Sequence, residues 1–107
     1  MTSLPAGKLV RDRIPELIVE SGRQPEVIRL AAEERLGALR DKLREESDEL
    51  AAASGDAVLG ELADVLEVLR ALAAQHHVTW SEVEDAAAAK AEERGAFTEG
   101  WYLVELR

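Results

Sequence analysis

The sequence predicts a mainly α-helical fold, an antiparallel helical bundle with a short two-stranded β element beside it. Three observations carry that expectation. Alanine and leucine dominate while aromatic residues make up 4% of the chain and cysteine is absent, a composition that suits helices. Apolar residues recur at three- and four-residue spacing through two long stretches, Leu36 to Leu50 and Val58 to Leu72, which is the helical period. Helix punctuation falls between and around them: Gly22, Ser54-Gly55-Asp56, Thr79 with Glu82, and Gly95. At 107 residues the chain is expected to form one domain, 1–107, with a modest core that gains from association.

Taken in order, Pro5 and Gly7 mark an irregular start. A short helix is expected over about 13–21, with Asp12 as N-cap, Pro15 in the first turn and Gly22 as C′. Lys8, Arg11 and Arg13 cluster at its beginning; they are either plain surface charges or phosphate contacts in a chain otherwise acidic. Val27 to Leu30, β-branched and following Pro25, reads as a strand. The first long helix runs from about Ala32 to Ala53, and the next, capped by Asp56, to about His76. The connection is short enough to force the two antiparallel. Thr79-Trp80-Ser81-Glu82 is a capping box opening a helix to about Arg94, with Trp80 as a packing residue. His76 and His77 project about 100° apart and suit the helix dipole better than a shared ligand. The segment 101–106 reads as a terminal strand that pairs with 27–30.

The most informative stretch is Glu45 to Asp64, where Glu45-Glu46-x-x-Glu49 is followed by Glu61-x-x-Asp64. At about 100° per residue, Glu46 lies at the edge of the apolar arc of Leu36, Leu39, Leu43 and Leu50, with Glu49 about 60° further round. Glu61 lies within the arc of Val58, Leu62, Val65, Val68, Leu69 and Leu72, and Asp64 is again about 60° outward. In an antiparallel pair these offsets put all four acids on one side of the seam. A solvated face would have set them opposite the leucines. Carboxylates crowded against apolar surface need a compensating cation. Oxygen ligands without histidine or cysteine point to Mg²⁺, with Mn²⁺ able to substitute, and away from a zinc-type site. The plainer alternative is an acid-rich hairpin whose charges only solvate it.

Acidic residues outnumber basic ones 22 to 13, for a net charge of −9. That repels nucleic acid and anionic membranes at long range. No apolar run approaches the roughly 18 residues needed to span a bilayer. The absence of cysteine is compatible with a reducing cytoplasm, where the protein is expected.

These blocks together resemble the MazG-like, all-α nucleoside triphosphate pyrophosphohydrolases, specifically the short subgroup similar to phosphoribosyl-ATP pyrophosphohydrolase. The resemblance rests on Lys8-Leu9-Val10-Arg11-Asp12-Arg13-Ile14-Pro15, on the two acidic blocks, and on Lys90-x-x-x-Arg94-Gly95-x-Phe97. It implies hydrolysis between the α and β phosphates of a nucleoside triphosphate. It makes Glu46, Glu49, Glu61 and Asp64 the Mg²⁺ ligands and Glu45 the catalytic base. Lys8, Arg11, Lys90 and Arg94 become the phosphate contacts. A second subunit typically completes the bundle in this family, so a homodimer or higher homo-oligomer is expected, and the alanine-rich run Ala86 to Ala91 is compatible with close helix approach. Ala96 and Glu93 depart from the family pattern, which has a glycine and a basic residue there. Two alternatives stand beside this reading: phosphoribosyl-ATP pyrophosphohydrolase itself, and a non-catalytic helical dimer that binds a nucleotide or a protein.

Overall fold

The computed structural model describes residues 6–107 and shows four helices: α1 (Ile14–Glu20), α2 (Ala32–Ala52), α3 (Ala57–Gln75) and α4 (Trp80–Arg94). Their ends follow local chemistry. Past α1, Gly22 takes φ +90°, and the N–H groups of Gly22 and Arg23 donate to the carbonyls of Val19 and Ile18, so the chain reverses while two terminal carbonyls stay bonded. α3 ends with the same bonding from His77 and Val78 to Ala74 and Ala73. There His77 occupies the left-handed position at φ +58°, which costs a residue with a Cβ more than glycine. Thr79 caps α4 as expected: its hydroxyl accepts from the Glu82 N–H at 3.1 Å, and the Glu82 carboxylate accepts from the Thr79 N–H at 3.0 Å. The Thr79 hydroxyl also donates to the Glu82 carboxylate at 3.0 Å, and the bonds from the Thr79 N–H and hydroxyl hold that carboxyl below its ordinary pKa.

Two expected caps are absent. Arg13, not Asp12, holds the N-cap position of α1, and no side chain bonds there. Asp56 precedes α3 in a helical conformation, φ −66° and ψ −19°, and makes no capping bond. A capping side chain reaches the N2 and N3 amides from an extended residue, so Asp56 is wrongly oriented. The Ala57 and Val58 N–H groups turn instead to the carbonyls of Ser54 and Gly55.

Residues 53–56 fold α3 back along α2 as an antiparallel hairpin. Leu39 of α2 and Val68 of α3 are buried, flanked by half-buried Leu36, Leu43, Leu50, Val58, Val65 and Leu72. The open end is closed by the Gln75 side-chain amide, which donates to the Ala32 carbonyl at 2.9 Å. α4 leans on the C-terminal part of α3 through half-buried Trp80 and Val83, with the Arg70 guanidinium 5.6 Å from the Trp80 ring centre. Trp80 is thus a packing residue with a cation on its face.

The two-stranded β element is not formed. No strand occurs among the described residues; 27–30 and 101–106 are irregular and largely exposed. Strand preference is a preference for a packed, pleated surface, and an isolated two-stranded ribbon is marginal in water. Neither segment has a helix face beneath it. The fold is helical throughout its regular part.

The chain is also open. Its radius of gyration is 18.1 Å, against about 13 Å for a compact domain of this length. Its accessible surface is 9603 Å², against about 5,900 Å² for a folded monomer of this mass. Much of the excess is apolar: Leu59, Leu62, Leu66 and Leu69 of α3 are 77%, 50%, 37% and 39% exposed.

Candidate metal and phosphate site

Glu46 comes from α2 and Glu61 and Asp64 come from α3, facing one another across the hairpin. One carboxylate oxygen of each lies within 4.8 Å of the others. Glu46 is buried, one of only three buried residues among those described, the others being Leu39 and Val68. Glu61 and Asp64 are half-buried. Burial tells more: Oε2 of Glu46 and Oε2 of Glu61 are both shielded from solvent and have no hydrogen-bond partner. A buried polar atom without a partner costs on the order of 1–3 kcal/mol, so a native fold keeps such atoms only for a reason. Two buried, partnerless carboxylate oxygens on residues of one acidic group fit a divalent cation that takes oxygen ligands.

The electrostatics point the same way. The Glu46 carboxyl is pushed above its ordinary pKa, first by burial, then by the neighbouring Glu49 carboxylate and by Asp64, while Lys42 acts in the opposite sense. Glu49 is therefore close enough to Glu46 to act on it, but it is exposed and outside the group of three. Glu45 is not one of the three, and its carboxylate lies 3.4 Å from Lys42 Nζ.

A groove of about 280 Å³ runs beside the acids, lined by Lys8, Leu9, Val10, Arg11, Ile14, Lys42, Glu46 and Asp64. Arg11 donates from Nη2 to Asp64 Oδ1 at 2.7 Å. Lys42 Nζ stands 3.5 Å from Glu46 Oε1 as well as near Glu45. The structure therefore brings Lys8 and Arg11 to the acids, and adds Lys42, which the sequence reading missed. Its signal was spacing: a lysine three and four residues before two glutamates shares their helix face. Lys90 and Arg94 are elsewhere, in an open groove with Ala87, Ala91, Gly95, Ala96 and Phe97. Neither histidine belongs to the acidic group.

Helices that present oxygen ligands beside lysine and arginine side chains have the equipment of a metal-dependent phosphoanhydride hydrolase. The chain belongs to the phosphoribosyl-ATP pyrophosphohydrolase family, which it matches over residues 12–91, three quarters of its length and all of the acidic cluster. It is similar to an uncharacterized protein of Mycolicibacterium smegmatis, 56% identical over 46 residues that make up 43% of this chain and 47% of that protein. The matched part thus spans about half the length of that relative. No solved structure matches the chain.

Proposed function

We propose that the protein is a Mg²⁺-dependent nucleoside triphosphate pyrophosphohydrolase that cleaves between the α and β phosphates, giving the monophosphate and pyrophosphate. The observation that carries this reading is the convergence of Glu46, Glu61 and Asp64 with two partnerless buried oxygens, next to a groove bearing three cationic side chains. Glu46, Glu61 and Asp64, with Glu49 beside them, would hold the ion, which when bound offsets phosphate charge and polarises the phosphorus. Lys8, Arg11 and Lys42 bind the phosphate chain and the departing pyrophosphate. Glu45, held by Lys42, orients the attacking water and takes its proton as the new oxygen–phosphorus bond forms and the bond to the bridging oxygen breaks.

The apolar surplus supports a second part of the proposal. Leu59, Leu62, Leu66 and Leu69 follow alternating spacings of three and four along α3, a seam for another helix, and a two-fold homodimer is the simplest assembly that covers it. Lys90 and Arg94 reach phosphate only if a second copy brings their groove to the acids. Among the described residues no helix is long and apolar enough to cross a membrane.

Pyrophosphate release from a panel of triphosphates with Mg²⁺ or Mn²⁺ tests the activity. Glu46→Gln or Asp64→Asn should lower it at least about a hundredfold, the scale on which catalytic electrostatics act. No release from any member, phosphoribosyl-ATP included, would sink the proposal. The family match favours a second reading, phosphoribosyl-ATP pyrophosphohydrolase of histidine biosynthesis. Rescue of a histidine-requiring strain that lacks that enzyme separates the two.

A further inference from the structure

The metal-type site already holds a cation of its own. Arg11 Nη2 lies 2.7 Å from Asp64 Oδ1, and Asp64 offers a carboxylate oxygen to the group formed with Glu46 and Glu61. The contact joins positions 53 residues apart, and it is the one side-chain ion pair among the described residues that ties the N-terminal segment to the hairpin. Arg11 lies just before the stretch that matches the family, 12–91. It lines the groove on the open side of the acids, together with Lys8 and Lys42. The pair is accessible, with side chains 58% and 41% exposed, so it breaks and re-forms readily.

We propose that Arg11 is a positioning residue with two alternative partners: Asp64 when the acidic site lacks its divalent ion, and substrate phosphate once the ion is in place. A carboxylate oxygen engaged by a guanidinium has less of its charge and fewer lone pairs to offer a cation. Ion binding at Asp64 therefore competes with Arg11 and releases it. The freed guanidinium stands at the groove wall, charged at any working pH and shaped for bidentate contact with phosphate. Loading the ion and arming the phosphate contact become one event. Because the equilibrium is shared, phosphate that captures Arg11 also strengthens ion binding. Lys42 does not duplicate this role, since its stem is anchored in the same helix as Glu45 and Glu46 and it serves both.

This inference rests on the acidic group being a divalent-cation site, and the test separates the two. Mn²⁺ binding to the nucleotide-free protein is measured by calorimetry at low ionic strength for the wild type, Arg11→Gln and Arg13→Gln. Arg13 is the charge control, because its guanidinium pairs with Glu16 at 2.6 Å and not with the acids. Arg11→Gln should bind Mn²⁺ about two- to fivefold more tightly than the wild type, or about 0.4–1 kcal/mol at roughly 1.4 kcal/mol per decade. Arg13→Gln should not, and the gain should shrink in high salt. In hydrogen exchange, Mn²⁺ alone should increase exchange at the Ile14 amide of the wild type, which donates to the Arg11 carbonyl at 3.0 Å, and added pyrophosphate should restore protection. Equal or weaker Mn²⁺ binding by Arg11→Gln overturns the inference alone, as does equal tightening by Arg13→Gln. A wild-type chain that binds no divalent ion overturns it together with the site reading.

Discussion

Two faces of α3 are comparable in apolar content and differ in what they meet. One carries Val58, Val65, Val68 and Leu72 against α2, with Glu61 among them and Asp64 on its flank. The other carries Leu59, Leu62, Leu66 and Leu69, all exposed. The first face has its partner a four-residue turn away. The second has none among the described residues. The difference shows that hydrophobic pattern identifies a face to be covered without identifying the cover, and that the acids follow the covered face, where burial makes their charge matter.

Breaking each face separately should give distinct losses. The largest effect belongs to the inner face: the Glu46→Gln and Asp64→Asn variants that lose pyrophosphate release should keep the wild-type mass by light scattering, because neither residue touches the leucine seam. The outer face should show the reverse order of events. Leu62→Asp with Leu66→Asp should weaken self-association by about a hundredfold or more, since two desolvated positions then carry charge, and the species should run at the mass of a single chain. A double variant that still sediments as a dimer would remove α3 from the interface.

A smaller effect sharpens the inner face further. The folded chain keeps the proton of Glu46 to higher pH than the unfolded chain does, because its carboxyl pKa is raised mainly by burial. Between the ordinary carboxylate pKa and that raised value the folded state binds more protons, so this group's contribution falls as pH rises through the window. The metal-free Glu46→Gln variant should escape that loss. It should exceed the wild type in stability at neutral pH, and the gap should close in acid, as read by denaturant melts across pH. Saturating Mg²⁺ should reverse the order, because only the wild type gains from ligand binding.

Much of this was readable from residue order. The bounds of α2, α3 and α4 follow from periodicity and from Thr79, Glu82 and the Ser54-Gly55-Asp56 break, because these signals act within a turn or two. The meeting of Glu46, Glu61 and Asp64 follows from the seam positions of Glu46 and Glu61 and the outward offset of Asp64 on the same side, once the short turn makes the helices antiparallel. What escaped depended on distant or conformational facts. Leu62 and Leu69 share the apolar character of Val68, so spacing alone assigned them to one arc. The extended segments 27–30 and 101–106 have β-type residues but no surface to pair on. Asp56 has the right chemistry for a cap and the wrong backbone angles. Lys42 has the ordinary spacing of a helix-surface ion pair with Glu45 and Glu46, and only the fold sets the N-terminal segment beside it.

The turn at 53–56 has a kinetic consequence. Both halves of the acidic site lie on the two arms it joins, with Glu46 and Asp64 fewer than 20 residues apart. Loop-closure entropy grows with the length of chain to be closed, and local contacts form fastest. The acids are therefore gathered by closing one short hairpin, a step on the microsecond scale of helix and loop formation. Any meeting of two chains follows, because it alone depends on concentration.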